Sequence, residues 1–175
     1  LVLNWNGGAD TLDCLASLAR LDYLRYDVLL IDNGSTDGSP ALARERYPEV
    51  AVLELGRNLG FTGANNAGMR WALERGADYV LLLNNDAGLA PDTLSQLVQL
   101  AEADPAVGMA APSIYYAALP NVFWSAGGEI DWRRGRLRMQ GIGQVDAGQY
   151  GQAPRETDFL TGCALLVKRV VLERA

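Results

Sequence analysis

The sequence predicts an α/β fold, a mostly parallel sheet between two layers of helix, and three observations carry that prediction. Short apolar runs alternate with amphipathic segments across the first two-thirds of the chain, the pattern of successive strand–helix units. The run from Tyr79 to Leu83 is apolar or aromatic at every position, as a strand covered on both faces must be. Apolar residues make up 49% and charged residues 21% of the 175, which suits one well-buried core and is far from the profile of a disordered chain.

The elements follow in order. Leu1 to Leu3 reads as the remnant of a first strand, and a helix from about Asp10 to Leu21 presents Leu12, Leu15 and Leu18 on one face, with Asp10 or Thr11 as its cap. Val28 to Ile31 is the second strand. Ser39 and Pro40 supply an N-cap and a first-turn proline for a helix reaching about Tyr47. Val50 to Leu55 is the third strand, and a helix from about Gly63 to Arg75 stops at Gly76, which suits the left-handed position after a helix. The buried strand Tyr79–Leu83 comes next, then a helix over Pro91–Ala103 with Leu94, Leu97, Val98 and Ala101 facing inward, then a strand beginning at Val107–Ala111. Residues 113–157 are rich in glycine, arginine and aromatics without helical periodicity, and read as strands and long loops. Leu160–Val167 returns to a strand pattern, with a helix from Lys168. The chain reads as a single domain, 1–175, truncated at both ends because it opens inside a strand and stops inside a helix.

Charge and composition exclude several functions. Fifteen basic against twenty-one acidic residues give a net charge of −6, which disfavours binding to nucleic-acid phosphates or an anionic membrane. No apolar run reaches the roughly eighteen residues of a membrane-spanning helix, and no charged-then-apolar leader opens the chain. Cys14 and Cys163 lie in apolar surroundings without metal-ligand spacing and read as buried free thiols. With no histidine in the chain, imidazole-based hydrolase chemistry is absent and carboxylates must do any proton transfer.

In an open α/β sheet the ligand crevice lies beyond the carboxyl ends of the strands. There the first strand runs into Asn4-Trp5-Asn6-Gly7, the second into Asp32-Asn33-Gly34-Ser35-Thr36-Asp37, the third into Arg57-Asn58-Leu59-Gly60-Phe61, and the fourth into Asn84-Asn85-Asp86. Asp32 either accepts hydrogen bonds from a base or ribose, or shapes an Asx-type turn. Asp86 either holds a hard cation such as Mg2+ or Mn2+ against a diphosphate, or bonds to nearby N–H groups in a polar turn. Arg57 brings a cation able to pair with phosphate, and the glycines of the segment up to Gly68 allow close backbone approach, to ligand or to the sheet. Arg133, Arg134, Arg136 and Arg138, near Trp124 and Trp132, either bind a phosphorylated or glycan acceptor or form a solvated loop.

Taken together, these residues resemble the inverting family 2 glycosyltransferases of the GT-A fold, rhamnosyltransferase-like members especially. The resemblance implies a GT-A-type, Rossmann-like three-layer α/β/α architecture, with 1–112 as the nucleotide-sugar donor half and 113–175 as the start of the acceptor half. It implies donor binding by Asn4, Asn6, Asp32, Arg57, Asn58, Gly60, Asn66 and Asn85, a metal contact at Asp86, and an acceptor side carrying Asp158 and Gly162 in the run Asp158-Phe159-Leu160-Thr161-Gly162-Cys163-Ala164. Asn84 stands where the family's metal motif begins with aspartate, so Mg2+ or Mn2+ is expected to rest mainly on Asp86. The family's catalytic base belongs to a Glu-Asp motif expected beyond Ala175, so no catalytic residue is assigned.

The implied reaction moves a sugar from a UDP- or dTDP-sugar to a glycan or lipid-linked acceptor hydroxyl with inversion, in bacterial polysaccharide or cell-surface glycan synthesis. A cytoplasmic protein is expected, peripheral to the inner face of the membrane, with membrane association only through segments outside this chain and no nucleic-acid partner. Two other functions remain open at this point: a nucleotide-sugar-binding domain without transferase activity, and a sugar-phosphate nucleotidyltransferase. The latter is similar in architecture, but its first loop bears arginine and then lysine, and Asn4–Asp13 contains neither. A nicotinamide-dependent redox enzyme lacks its glycine fingerprint after the first strand.

Overall fold

A computed structural model describes residues 1–151 and 153–174. Ten strands and five helices are described: β1 (Val2–Asn4), α1 (Gly8–Leu18), β2 (Leu29–Asp32), α2 (Ser39–Arg46), β3 (Ala51–Glu54), α3 (Gly60–Glu74), β4 (Tyr79–Asn84), α4 (Thr93–Ala103), β5 (Met109–Ala110), β6 (Ile114–Tyr116), β7 (Leu119–Ser125), β8 (Gly128–Asp131), β9 (Arg136–Met139), β10 (Ala164–Lys168) and α5 (Arg169–Leu172).

The main sheet has the order β3-β2-β1-β4-β10-β5. β1 to β4 are mutually parallel, and β10 runs antiparallel to both β4 and β5. Successive side chains on one strand serve opposite layers. Leu30 joins Val2, Leu83, Leu15 and Leu18 of α1 and Ala43 of α2 on one face, whereas Leu29 and Ile31 meet Ala64 of α3 on the other. Burying each such leucine or isoleucine contributes roughly 1.5–3 kcal/mol, which fixes the register of these short strands. α4 closes the β10–β5 end of the first face with Leu94, Leu97, Val98 and Ala101 against Ala110 and Leu166.

Several boundaries differ from the sequence reading. α1 starts at Gly8 with Gly7 as N-cap and no side-chain cap, because Thr11 is drawn inward instead. Gly38, at φ 79°, takes the N-cap position of α2 in place of Ser39, whose hydroxyl donates 2.6 Å to Asp37. α3 begins three residues early, at Gly60, and α4 two residues late, at Thr93. The last strand is Ala164–Lys168, since Leu160–Cys163 must turn the chain toward the end of β4.

The segment after β5 forms two hairpins, β6–β7 and β8–β9. Thr157–Phe159 lies along the free edge of β8. Gly128 pairs with Phe159, Asp158 N donates to Gly128 O at 3.0 Å, and the Asp158 carboxylate accepts from Ile130 N at 2.8 Å.

Candidate functional site

β1 has β2 on one side and β4 on the other, so the connection leaving β1 runs toward β2 while the one leaving β4 runs the opposite way along the sheet, toward β5. At such a switch point the strand ends open a crevice. Four loops border it: residues 4–7, 32–37, 57–61 and 84–86.

Asn4 is completely buried beneath this crevice. Its amide donates to Asp32 Oδ1 (3.1 Å), Ser35 Oγ (3.1 Å) and Ser39 Oγ (2.8 Å), while its Oδ1 accepts from Gly7 N (3.0 Å) and Thr11 Oγ1 (2.8 Å). The same Thr11 oxygen accepts from Asn85 Nδ2 at 2.9 Å. A continuous polar chain, Asp32–Asn4–Thr11–Asn85, therefore runs under the crevice from β2 to β4. Gly7 lets the first loop lie on top of it, since a Cβ at that position would fall 1.8 Å from Asn85 Nδ2. Every buried side-chain polar atom among the described residues is hydrogen-bonded, as a rigid floor requires.

Asp32 is 4% exposed; Ser35 N donates to its Oδ2 at 3.2 Å. The carboxylate thus both shapes the turn and borders the crevice. Asn6 is exposed, with φ 54°, and its Oδ1 accepts from Thr36 N at 2.7 Å, tying the first loop to the second. Asp37 accepts from Ser39 Oγ and N and from Gly8 N. These bonds, the Ser39 hydroxyl foremost, hold its carboxyl below the usual range.

The third loop is held by Asn33, which donates to Asn58 Oδ1 (3.0 Å) and accepts from Leu59 N (2.8 Å). Gly34, at φ 82°, must be glycine twice over: a Cβ there would sit 2.8 Å from the Arg57 backbone. This contact brings Arg57 beside the second loop. Its guanidinium is exposed and forms no ion pair among the described residues. Asn58 Oδ1 also accepts from Gly60 N at 2.8 Å, opening α3, whose first turn has no side-chain cap and so presents partly positive N–H groups. Asn66 is exposed on α3, whereas Asn65 is buried and bonds to Phe61 O. Gly68 packs against the sheet, with Ile31 Cδ1 2.3 Å from the place of a Cβ.

On the β4 side Asp86 is exposed and Asn84 and Asn85 are half-buried. Asn84 N donates to Cys163 O, joining the 160–163 turn to this loop. Burial, with smaller contributions from Asp86 and Cys163, pushes the Cys14 thiol up to about 12. Burial and then Asp86 raise Cys163 as well. Both thiols are free; Cys14 is buried and Cys163 only half-buried. Gly162 faces Phe61 across the crevice, 3.2 Å from the place of its Cβ to the ring, while Asp158 lies further back, engaged by β8. A cavity of about 880 Å³ adjoins this turn, reaching from Leu160 and Thr161 to Tyr115, Tyr150 and the first turn of α4.

No group of three or more acidic, cysteine or histidine side chains among the described residues could enclose a metal. One exposed carboxylate at the crevice mouth nevertheless fits a cation such as Mg2+, which commonly takes one or two carboxylates and completes its shell with water and substrate phosphate.

The sequence reading took Thr11 and Ser39 as helix caps and Ser35 only as part of the second loop, and missed their place in the polar floor and the bridging role of Asn33. Thr11 offered one signal, a polar residue on the apolar face of α1 at helical spacing from Leu15 and Leu18.

A family model described as glycosyl transferase family 2 matches residues 1–173. The chain is 37% identical over 112 residues to an N-acetylglucosaminyl-diphospho-decaprenol L-rhamnosyltransferase of Mycobacterium tuberculosis, covering 57% of this chain and 35% of that protein. It is 38% identical over 76 residues to an undecaprenyl-phosphate mannosyltransferase of Micrococcus luteus, covering 42% and 31% respectively. The chain thus spans about a third of the length of these relatives. Its fold is similar to that of a mannosyltransferase from Pyrobaculum calidifontis in complex with GDP-Man and Mn2+ (TM-score 0.68, 24% identity, 99% of this chain and 44% of that one). S. aureus TarS in complex with UDP-GlcNAc shares it at TM-score 0.57 and 18% identity, over 73% of this chain and 38% of that one.

Proposed function

This chain belongs to glycosyl transferase family 2 and has the GT-A fold, and from that premise we propose that its crevice binds a nucleoside diphosphate sugar whose sugar is transferred, with inversion, to an acceptor hydroxyl. One observation carries the reading: the β1–β4 switch point gathers Asp32, Arg57 and Asp86 around a floor whose polar atoms are all bonded.

Each residue has a role under this reading. Asp32, held by Asn4 and Ser35 N, presents its carboxylate to the hydroxyl or N–H donors of the nucleoside, and Asn6 and Asn58 set the loops beside it. Asn4, being wholly buried, positions Asp32 and does not touch the donor. Arg57 and the first turn of α3, whose N-cap residue makes no side-chain bond, offer positive charge to phosphate, and Asn66 lies nearly two turns along α3 from Gly60. Asn85 is held by Thr11 and sets the loop that ends in Asp86, the side chain that would hold Mg2+ or Mn2+. A cation there supplies charge neutralisation for the departing nucleoside diphosphate. Gly162 leaves room beside Phe61 for an acceptor, and Asp158 fixes the strand leading to that turn. The general base that takes the acceptor proton is assigned to the protein beyond Ala175.

The donor under this reading is a UDP- or dTDP-sugar and the acceptor a glycan or lipid-linked hydroxyl in cell-surface glycan synthesis at the inner face of the membrane; similarity to an N-acetylglucosaminyl-diphospho-decaprenol L-rhamnosyltransferase and to an undecaprenyl-phosphate mannosyltransferase supports the lipid-linked acceptor. Calorimetry with a panel of nucleotide sugars, with and without Mn2+, tests the reading. One member should bind in a Mn2+-dependent way, and Asp86→Ala should weaken that binding about tenfold or more. If no nucleotide sugar binds, the assignment of the crevice is wrong; metal-independent tight binding overturns the role of Asp86.

A further inference from the structure

The β8–β9 hairpin exposes two large apolar side chains and carries the densest run of positive charge in the sequence. Trp132 is 80% exposed and Leu137 69%. The net charge of −6 disfavours an anionic surface for the chain as a whole, but residues 133–138 hold four of its fifteen basic residues and no acidic one, so the local sign is reversed.

The pairing separates these properties. Gly128 opposes Met139 and Ile130 opposes Leu137 on one face, while Glu129 opposes Arg138 and Asp131 opposes Arg136 on the other. The two carboxylates are largely committed within the hairpin. Asp131 accepts from Arg133 N and Arg134 N, each at 3.1 Å, and pairs with the Arg134 guanidinium at 3.3 Å, while Glu129 accepts from Gln140 at 2.6 Å. Arg133, Arg136 and Arg138 remain exposed and form no ion pair among the described residues.

The base of the hairpin is fixed and the tip projects. Phe159 packs on Gly128, where a Cβ would lie 2.1 Å from its ring, and Thr157 and Asp158 bond along β8. The Trp132 indole N–H makes no hydrogen bond among the described residues, and Leu137 is 69% exposed.

We propose that the β8–β9 hairpin docks the protein on an anionic phospholipid surface, with Trp132 and Leu137 entering the headgroup layer and Arg133, Arg136 and Arg138 meeting lipid phosphates. Indole rings favour that layer, and arginine can bury its stem there while its charge stays with phosphate. A lipid-exposed leucine distinguishes this surface from a nucleic-acid site, which would use the arginines but not the aliphatic tip. The segment that anchors β8 continues through Leu160–Gly162 to the crevice, so docking would hold the acceptor side near the membrane. That consequence rests on the proposed glycosyl transfer, whereas docking itself does not.

Sedimentation with vesicles of phosphatidylcholine alone, or mixed with phosphatidylglycerol, tests it. The protein should partition to the mixed vesicles only, with a blue shift of tryptophan emission that the Trp132→Phe variant lacks. Arg133→Gln combined with Arg136→Gln should lower partitioning roughly twenty-five-fold, at about fivefold per arginine, with an unchanged thermal midpoint. Failure to bind mixed vesicles, or binding that neither variant changes, overturns the proposal. So does a Trp132 already shielded from iodide quenching without lipid, because the hairpin would then be covered by protein. None of these readouts involves a nucleotide, so failure here leaves the crevice assignment untouched.

Discussion

Thr11 makes two hydrogen bonds with one hydroxyl, accepting from Asn85 and donating to Asn4. Valine has nearly the same shape but neither capacity. Thr11→Val would leave Asn85 Nδ2 without its partner and Asn4 Oδ1 with Gly7 N alone beneath the crevice, at a cost of roughly 1–3 kcal/mol. Thermal unfolding should show a midpoint lowered by several degrees, about 2–4 °C per kcal/mol for a chain of this size, and Thr11→Ser should recover most of the loss. An unchanged midpoint in the valine variant would mean that the polar chain under the crevice does not rigidify it. Cys14 gives a second expectation at this scale. Burial raises its thiol from 9.0 to about 12, so the folded protein keeps a proton that the unfolded chain releases near 9. The stability this contributes is complete below pH 9 and is lost as pH climbs toward 12. Stability curves for the parent and Cys14→Ala should therefore converge in slope below pH 9 and diverge above it.

The helices and strands of residues 1–112 were legible because their periods are local: a two-residue alternation or a 3.6-residue stripe can be read without knowing what lies opposite. Their starts were less legible. Ser39 looks like a helix cap by type, but Asn4, thirty-five residues away, and Asp37 claim its hydroxyl. The hairpins after β5 depend on distant pairings such as Val122 with Val145 and Gly128 with Phe159, and register shifts between β6 and β7 hide the alternation there. The strand-end polar residues of the site were visible as Asp32, Arg57 and Asp86, whereas Thr11 acquires its role only when α1, β1 and β4 meet. α3 shows how an element holds the site from behind. Alanine at Gly68 would gain about 1 kcal/mol of helix propensity, yet the Cβ would sit 2.3 Å from Cδ1 of Ile31, which is wholly buried and adjoins Asp32. Gly68→Val adds two further methyl groups and should cost about 1–3 kcal/mol. Nucleotide titration of the folded variant should also show weaker binding, because α3 must move off β2; unaltered affinity would show that the strand end tolerates the shift.

At the scale of the whole molecule, an acidic protein proposed to bind an anion has to overcome its own field. The net charge is −6, and the four loops at the crevice contribute Asp32, Asp37 and Asp86 against Arg57. The uncapped start of α3 adds roughly half a positive charge, screened within a turn, which is too little to balance the difference. A doubly charged cation on Asp86 would reverse the sign where the diphosphate lies. Chelation should therefore weaken nucleoside diphosphate binding about tenfold or more, and should leave the parent nucleoside, which reaches Asp32 but carries no phosphate, nearly unaffected. Titrating both ligands with Mn2+ and then with excess EDTA separates the two contributions. Equal losses for nucleoside and diphosphate would place the cation's effect on the fold and not on the phosphates, and no loss for either would leave Arg57 and the start of α3 carrying the anion alone.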